Sequence, residues 1–161
     1  MNGVDEALAQ AHELLAPYGG IETRPEPNRL DVAVSVDQLV AAAQALSAAE
    51  WGYLAAMTGL DHGPAAQTLE VLYHFCAGAA GVTLRVTVAR EAATVPSLTH
   101  VTPATALYER EVSEMLGVTF TGSPNRDRLY LAEDWPAEVY PLRKDAVITP
   151  PGGGERPGHD A

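Results

Sequence analysis

Two alternating apolar segments, joined by a run of small residues, constrain the fold more than any other feature of this sequence. In 69–76 and 82–89, apolar side chains recur at every second position and β-branched residues are frequent, which is typical of strands. The five Ala and Gly residues between them predict a hairpin loop over 77–81. Arg85 would then pair across the ladder with either Glu70 or His74. The sequence therefore predicts an antiparallel pair of strands in the centre of the fold.

The other periodic segments of the sequence predict both strands and helices. Alternation predicts a strand over 30–36, and a second, short strand is a candidate over 98–101. Proline residues mark 21–28 as a turn region. Apolar spacing of three and four residues predicts helices over 4–16, 37–49 and 51–60. We therefore expect an α+β two-layer sandwich, with one mostly antiparallel sheet, helices on one face and an extended C-terminal strap.

The length and composition are those of one globular domain. The 161 residues are 47% hydrophobic and 19% charged, which allows a proper core and argues against disorder. We expect a single domain over 1–148, whose last part, 118–148, is the strap. The tail over 149–161 is rich in Pro and Gly, so we expect it to be flexible.

Charge and hydropathy exclude several classes of partner. The net charge of −11 argues against nucleic acid, since phosphate binding depends on dense Lys and Arg. No apolar run reaches the roughly 18 residues that a membrane span requires. The acidic start lacks the basic segment of a signal peptide. We therefore expect no nucleic-acid partner, no direct membrane insertion, and a place in the cytosol or on a cytosolic membrane face.

The sequence lacks the residue patterns that are typical of catalytic, cofactor-binding and metal-binding sites. Cys76 is the single cysteine, too few for a disulfide or an iron–sulfur cluster. The histidines lack ligand spacing, and the glycines at 152–154 lack the flanking strand and helix of a phosphate loop. Asp61 and His62 suggest half of an acid–base pair or, more simply, a turn. We expect no catalytic residue, no bound cofactor and no metal in this chain.

The stretch 102–145 carries the most distinctive sequence, and it opens as a helix. Thr102 is suited to cap the helix and Pro103 to occupy its first turn. Gly117 is suited to the left-handed position that ends a helix. The stretch therefore predicts a helix between these residues.

A carboxylate interrupts the apolar stripe of this helix. The stripe follows three- and four-residue steps through Ala104, Tyr108, Val112, Met115 and Leu116. Glu111 falls on it, so its carboxylate should be desolvated and should need a cation or a set of N–H donors. Glu109 and Glu114 fall off the stripe, and we expect them to face solvent or a partner.

The strap, residues 118–148, has little regular periodicity. Val118 and Phe120 predict a short strand, and 122–125 predict a turn. The rest combines fixed charges and prolines with few core residues, and it leads to Tyr-Pro-Leu-Arg-Lys-Asp at 140–145. Two interpretations stay open: a strap laid over the surface of another protein, or an ordinary solvated loop.

A series of short motifs in this part of the chain resembles one protein family. The motifs are Glu109-Arg110-Glu111, Glu114-Met115-Leu116-Gly117-Val118, Phe120, Gly122, Pro124, Arg128, Glu133-Asp134-Trp135 and Pro141-Leu142-Arg143-Lys144-Asp145. In this order they are similar to the C-type subunit, also called the 30 kDa subunit, of respiratory NADH:quinone oxidoreductase (complex I). The resemblance extends more weakly back to residue 51, so the core match covers 51–145.

The resemblance implies a structural subunit without a redox centre, in the peripheral arm of a proton-pumping complex that transfers electrons from NADH to quinone. It implies packing on the homologue of the D-type (49 kDa-like) subunit near the quinone site, close to the homologue of the B-type subunit. Iron–sulfur clusters, FMN and quinone would then belong to partner subunits. The implied location is peripheral, on the cytoplasmic face of the cell membrane.

The resemblance also assigns residues to the family motif and partner interface. They are Glu109, Arg110, Glu111, Gly117, Phe120, Gly122, Pro124, Arg128, Asp134, Trp135, Pro141, Leu142, Arg143, Lys144 and Asp145. Within this set, Glu111 would join Arg110, Arg128 and Arg143 in a partly buried ionic network that fixes the strap.

The sequence departs from the family pattern at several positions. Ser123 and Tyr140 stand where His is usual, Leu116 where an aromatic residue is usual, and Leu107 where Trp is usual. The residues at 140–145 are also similar to related subunits of membrane-bound, energy-converting nickel–iron hydrogenases. Two alternatives follow: the equivalent subunit of such a hydrogenase, and a stand-alone binding or assembly module.

Overall fold

The structure is a computed structural model that describes residues 3–148. Its helices are α1 (Gly3–Leu15), α2 (Leu39–Ala48) and α3 (Thr105–Leu116). Its strands are β1 (Gly19–Thr23), β2 (Arg29–Val34), β3 (Tyr53–Asp61), β4 (Thr68–Ala77), β5 (Ala80–Ala89), β6 (Thr94–Pro96) and β7 (Thr119–Thr121). One turn of 3-10 helix, Val36–Gln38, precedes α2. The tail predicted over 149–161 lies outside the described residues.

Five strands form the main sheet, in the order β1-β2-β5-β4-β3. Neighbouring strands are antiparallel except for β2 and β5, which are parallel and have Val32 opposite Leu84. β6 and β7 pair in parallel in a small second sheet. The mostly antiparallel sheet expected from the sequence is confirmed, and so are the two central strands β4 and β5.

The core lies on one face of the main sheet, because side chains alternate along each strand. Buried residues on that face of β4 and β5 are Leu69, Val71, Tyr73, Phe75, Val82, Leu84, Val86 and Val88. The buried residues of α1 and α2 join the same core cluster, and α1 packs against β2 and β5. α3 covers β3, where Val112 and Leu116 lie against Gly59. The α+β sandwich with helices on one face is therefore confirmed.

The opposite face of the sheet is polar, and Arg85 lies at its centre. Arg85 donates to both carboxylate oxygens of Glu70, at 2.8 Å each, and to Asp31 at 3.0 Å. The hydrogen bond from Arg85 lowers the pKa of Glu70, and the same contact raises the pKa of Arg85. Of the two partners predicted for Arg85, the structure therefore selects Glu70.

The helix predicted over 51–60 is wrong, since this segment contains strand β3. β3 pairs with β4, with Leu54 opposite Phe75 and Met57 opposite Tyr73. A bulge between Leu54 and Ala56 puts both core residues on one face although they are three positions apart. That spacing imitates a helix, which explains the error.

Three predictions for connecting segments also differ from the structure. The turn region over 21–28 begins inside β1, a short edge strand that is largely exposed. The hairpin loop predicted over 77–81 shrinks to two residues, because Ala77 pairs with Ala80. The short strand predicted over 98–101 is a turn, in which the N–H groups of Val101 and Thr102 donate to the Leu98 carbonyl. The neighbouring strand is β6 instead.

The limits of α3 are partly as predicted. Gly117 ends the helix in the left-handed conformation, with φ of 75°, which confirms its role. The start lies later than expected, with Ala104 as N-cap and Thr105 as the first helical residue. Thr102 contributes its carbonyl oxygen rather than its hydroxyl group, and accepts from the N–H of Thr105 at 3.1 Å.

Candidate functional site at the C-terminal strap

One carboxylate of α3 holds the middle of the strap. Glu114 accepts hydrogen bonds from the main-chain N–H groups of Leu129 at 2.8 Å, Tyr130 at 2.9 Å and Leu131 at 3.3 Å. Three consecutive N–H groups therefore point at one side chain. This contact replaces the solvent or partner contact expected for Glu114, and it fixes the course of a segment without regular secondary structure.

Two arginines hold the same segment by its carbonyl groups. Arg110 donates to the carbonyls of Asp127 at 2.9 Å and Arg128 at 2.8 Å. Arg128 donates in turn to the carbonyls of Ala132 and, at 2.7 Å, Trp135. The planar guanidinium group suits this double contact with two carbonyls. These side chains therefore determine the path of the strap rather than pairing with carboxylates.

The predicted ionic network around Glu111 is wrong. Glu111 is half-buried and takes part in none of the ion pairs found within 3–148. The buried carboxylate is Glu109, which accepts from the Ser97 hydroxyl group at 2.8 Å and from the Leu98 N–H at 2.8 Å. The helix is rotated relative to the predicted stripe, so that its buried residues are Thr105, Glu109, Val112 and Leu116. Glu109 is thus inside because two neighbouring donors satisfy it.

The end of the strap meets the sheet in a clasp formed by Asp61, Arg90 and Asp145. Arg90 donates to both oxygens of the buried Asp61, at 3.1 Å each, and also to Asp145. Asp61 accepts further bonds from the N–H groups of Gly63 and Lys144, both at 2.8 Å. The Arg90 guanidinium holds the pKa of Asp61 well below its usual range and also lowers the pKa of Asp145. The clasp therefore joins the ends of β3 and β5 to the strap.

A second anchor forms where α3 ends. The Arg143 guanidinium lies 4.6 Å from the ring centroid of Tyr140. Arg143 donates to the carbonyl of Leu116 at 2.8 Å, and to that of Arg90 at 3.3 Å. Gly117 lies directly beneath, and a Cβ atom there would come within 2.5 Å of the Tyr140 ring. The close approach of the strap therefore depends on glycine at 117.

The structure divides the predicted interface residues by exposure. Two are buried: Glu109 and Phe120. Six are half-buried: Arg110, Glu111, Gly117, Trp135, Pro141 and Arg143. Seven are exposed: Gly122, Pro124, Arg128, Asp134, Leu142, Lys144 and Asp145. Contacts that hold the strap come from half-buried members such as Arg110 and Arg143 and also from the exposed Arg128 and Asp145.

Sequence reasoning missed the anchors that lie outside the strap. Asp61 reads as a turn residue in the sequence, and its bond to the Gly63 N–H is indeed that of an Asx turn. Its pairing with Arg90 joins residues that are far apart in the chain, which no local pattern reveals. The sequence signal for the Glu114 anchor is a carboxylate near the end of a helix that is followed by an aperiodic segment. The partners of this carboxylate are main-chain N–H groups.

Residues 3–148 contain neither a cluster of metal ligands nor a membrane-spanning helix. No group of three or more His, Cys, Asp or Glu residues in this range is arranged to hold a metal ion. No helix in the same range is long and apolar enough to cross a membrane.

Comparison with known protein families decides the assignment of the chain. The profile of the respiratory-chain NADH dehydrogenase, 30 kDa subunit family matches residues 32–151, which is most of the sequence. The chain belongs to this family. The resemblance seen in the strap motifs is therefore confirmed. The chain is accordingly a 30 kDa-type subunit of a respiratory oxidoreductase complex.

The relatives of this family member come from two kinds of enzyme. The chain is 32% identical over 144 residues to the C subunit of NADH-quinone oxidoreductase from Moorella thermoacetica, covering 88% of this chain and 95% of the relative. It is 30% identical over 129 residues to hydrogenase-4 component G of Escherichia coli, covering 78% of this chain and 23% of that protein. The chain spans only 51% to 56% of the length of several other curated relatives that are C subunits of NADH-quinone oxidoreductase.

Two solved structures share the fold. One belongs to the membrane-bound sulfane sulfur reductase, an archaeal respiratory membrane complex, with a TM-score of 0.73 and 24% identity over 89% of this chain and 85% of that one. The other is a trypsin-resistant fragment of Nqo5, with a TM-score of 0.62 and 21% identity over 76% of this chain and 98% of the fragment. At this level of identity, the likeness supports the fold.

Proposed function

We propose that this chain is a structural subunit of the peripheral arm of a proton-pumping NADH:quinone oxidoreductase. In this role it packs on the D-type (49 kDa-like) homologue near the quinone site, close to the B-type homologue, on the cytoplasmic face of the membrane. It holds no redox centre itself, and the iron–sulfur clusters, FMN and quinone belong to partner subunits. Membership of the 30 kDa-subunit family is the observation that carries this proposal.

The geometry of the strap supports an interface at this place. Anchors on α3 and in the clasp fix its path, yet Tyr130, Leu142, Val147 and Ile148 remain exposed large apolar side chains. A cluster of such residues on one segment is typical of a surface that a partner covers. A stable interface buries more than about 1,200 Å², and the strap offers an extended surface for it.

Co-purification from membranes tests the proposed assembly. We expect the tagged chain, isolated from detergent-solubilised membranes, to bring the D-type homologue with it at equal stoichiometry. Recovery of the chain as a monodisperse monomer, absent from membrane complexes, would contradict the proposal. That result would favour the stand-alone binding or assembly module.

A single substitution tests whether the strap is the assembling part. We expect Arg143→Ala to weaken assembly without abolishing folding, because it removes the contacts with Leu116, Arg90 and Tyr140 that fix the end of the strap. The matched control is Arg24→Ala, which removes an equal charge from an exposed site. Complex yield and the circular dichroism spectrum of the free chain are measured for both. Assembly of Arg143→Ala at the control level would show that the strap does not make the interface.

The second candidate is the equivalent subunit of a membrane-bound energy-converting nickel–iron hydrogenase. The similarity to hydrogenase-4 component G over 129 residues favours it. The co-purified large subunit separates the two candidates, since the hydrogenase form needs cysteine pairs that bind nickel. A large subunit without those pairs, together with NADH-dependent quinone reduction by the complex, supports the first candidate.

A further inference from the structure

We infer that part of the strap is a docking cleft for a basic segment of a partner subunit, which inserts one apolar side chain between flanking Arg or Lys residues. The docking cleft consists of residues 132–139 together with Val147 and Ile148. This inference rests on the proposed function and specifies the chemistry of the partner at that interface.

The walls of the docking cleft are apolar and open to solvent. They are formed by Ala132, Trp135, Pro136, Val139, Val147 and Ile148, with Asp134 at the side. The cleft encloses a volume of about 210 Å³, well above the roughly 30 Å³ share of one water molecule. Val147 and Ile148 are 82% and 47% exposed, so two consecutive apolar side chains of the cleft are open to solvent. An apolar side chain of a partner fits this cleft.

The main chain around the docking cleft is held in shape before any partner binds. The Trp135 indole N–H donates to the Val139 carbonyl at 2.8 Å, and Arg128 donates to the carbonyls of Ala132 and Trp135. Glu138 adopts a left-handed conformation, with φ of 62°, which a non-glycine residue rarely takes. Such preorganisation lowers the entropy cost of binding.

The charge beside the docking cleft is negative. Asp134 lines the cleft and Glu133 precedes it; both are exposed, and their carboxylates make no hydrogen bond or ion pair with any residue of the described range. The nearby cation, Arg128, uses its N–H groups on carbonyls of the loop. A free carboxylate in the cleft lining, with a second one next to it in the chain, favours a cationic partner and disfavours an acidic one, by charge complementarity.

A charge-reversal experiment on the assembled complex tests this assignment. The rim variant combines Glu133→Lys and Asp134→Lys, and the matched control combines Glu13→Lys and Glu26→Lys at exposed positions of equal charge. The fraction of tagged full chain retained in detergent-solubilised complex is measured at about 50 mM and about 300 mM NaCl. Val147→Ser is a third variant, which removes apolar surface at a side chain that is 82% exposed.

We expect the rim variant to be retained at least about tenfold less than wild type, and Val147→Ser to be reduced in the same direction. The control should match wild type. Retention of both cleft variants at the wild-type level would overturn the inference about the docking cleft. The proposed function would still stand in that case, because the partner subunit would still co-purify. Absence of wild-type chain from every complex would instead contradict the proposed function itself.

A photo-crosslink identifies the occupant directly. p-Benzoyl-phenylalanine replaces Val147 in the tagged full chain, and the adduct formed in the complex is located by mass spectrometry. We expect it within a partner segment that has an apolar residue flanked by at least two Arg or Lys residues. An adduct on an acidic segment, on lipid or on a second copy of this chain would refute the inference.

Discussion

The main sheet with its three helices, here called the sheet domain, is stabilised by different interactions from those that hold the strap. In the sheet, ladders of main-chain hydrogen bonds join five strands, and apolar residues such as Leu84 and Tyr73 are completely buried. In the strap, the main chain is bound by single side chains, chiefly Glu114, Arg110 and Arg143. A sheet can lose one contact and keep its form, whereas the path of the strap depends on a few residues. The strap is therefore the part of this molecule that a partner can reshape most easily.

The largest expected effect comes from truncating matched leucines in the two regions. Leu84 is 0% exposed in the sheet, and Leu142 is 60% exposed in the strap. We expect Leu84→Ala to lower the free energy of unfolding by about 2–5 kcal/mol, through lost burial and the cavity left behind. Leu142→Ala should change it by less than about 0.5 kcal/mol. Urea unfolding of the full chain measures both values.

Equal losses from the two leucines would remove this distinction between the regions. They would mean that the strap contributes to the core in the free chain. Leu142→Ala could instead lower the free energy of unfolding only slightly and reduce the yield of the assembled complex. That result would sharpen the distinction, because Leu142 would then act at the interface alone.

Two glycines test how closely the strap is held. Gly117 and Gly122 both have positive φ, of 75° and 82°, so alanine costs about 1 kcal/mol at either position. At Gly117 the added Cβ also meets the Tyr140 ring at 2.5 Å, whereas at Gly122 it meets nothing within 4 Å. We expect Gly117→Ala to cost about 1–3 kcal/mol more than Gly122→Ala, and to increase protease cleavage within 119–148. Limited proteolysis and urea unfolding measure these effects.

The two variants can also contradict this view. If Gly117→Ala and Gly122→Ala lose equal stability and are cleaved equally, the strap moves away from Gly117 at little cost. The anchor formed by Tyr140 and Arg143 would then be weak, and the path of the strap would depend mainly on Glu114 and the clasp.

The sheet domain was largely predictable because its signal is periodic. Alternation over β4 and β5 predicted the central pair and limited the partner of Arg85 to Glu70 or His74, of which the structure selects Glu70. The failure at β3 has a local cause: the bulge beside Ala56 replaces the two-residue period by a three-residue step. β1 was missed because a five-residue edge strand with two glycines has little period to detect.

The anchors of the strap were less predictable, for a physical reason. The motif residues Arg143 and Gly117 were identified, but the buried carboxylate was assigned to Glu111 instead of Glu109. Burial of Glu109 depends on the Ser97 hydroxyl group and the Leu98 N–H as donors, and neither apolar spacing nor charge can predict these contacts. The clasp joins Asp61 to Arg90 and Asp145, a contact that exists only once the sheet has formed.

The smallest expected effect is the acid sensitivity of the clasp. Asp61 has an ordinary pKa of 3.8, and the hydrogen bond from Arg90 lowers it in the folded state. A carboxyl group whose folded pKa is lowered stabilises the protein above its unfolded pKa, and this contribution is lost as the pH falls. The Asp61 contribution should therefore be complete at neutral pH and should decline below about pH 4. Glu70 adds a loss of the same sign, because its pKa is also lowered.

Asp61→Asn separates the clasp from Glu70, since the amide keeps the shape but cannot ionise. The free energy of unfolding of wild type and variant is measured by urea between about pH 3 and pH 6. We expect the wild type to be the more stable at pH 6, and the difference to shrink as the pH falls, because Asp61 takes up a proton in the unfolded chain before it does so in the folded chain. Protease cleavage of the strap should follow the same pH dependence. A constant difference over this range would show that the pKa of Asp61 is the same in the folded and unfolded chain, and the clasp would then not be what ties the strap to the sheet.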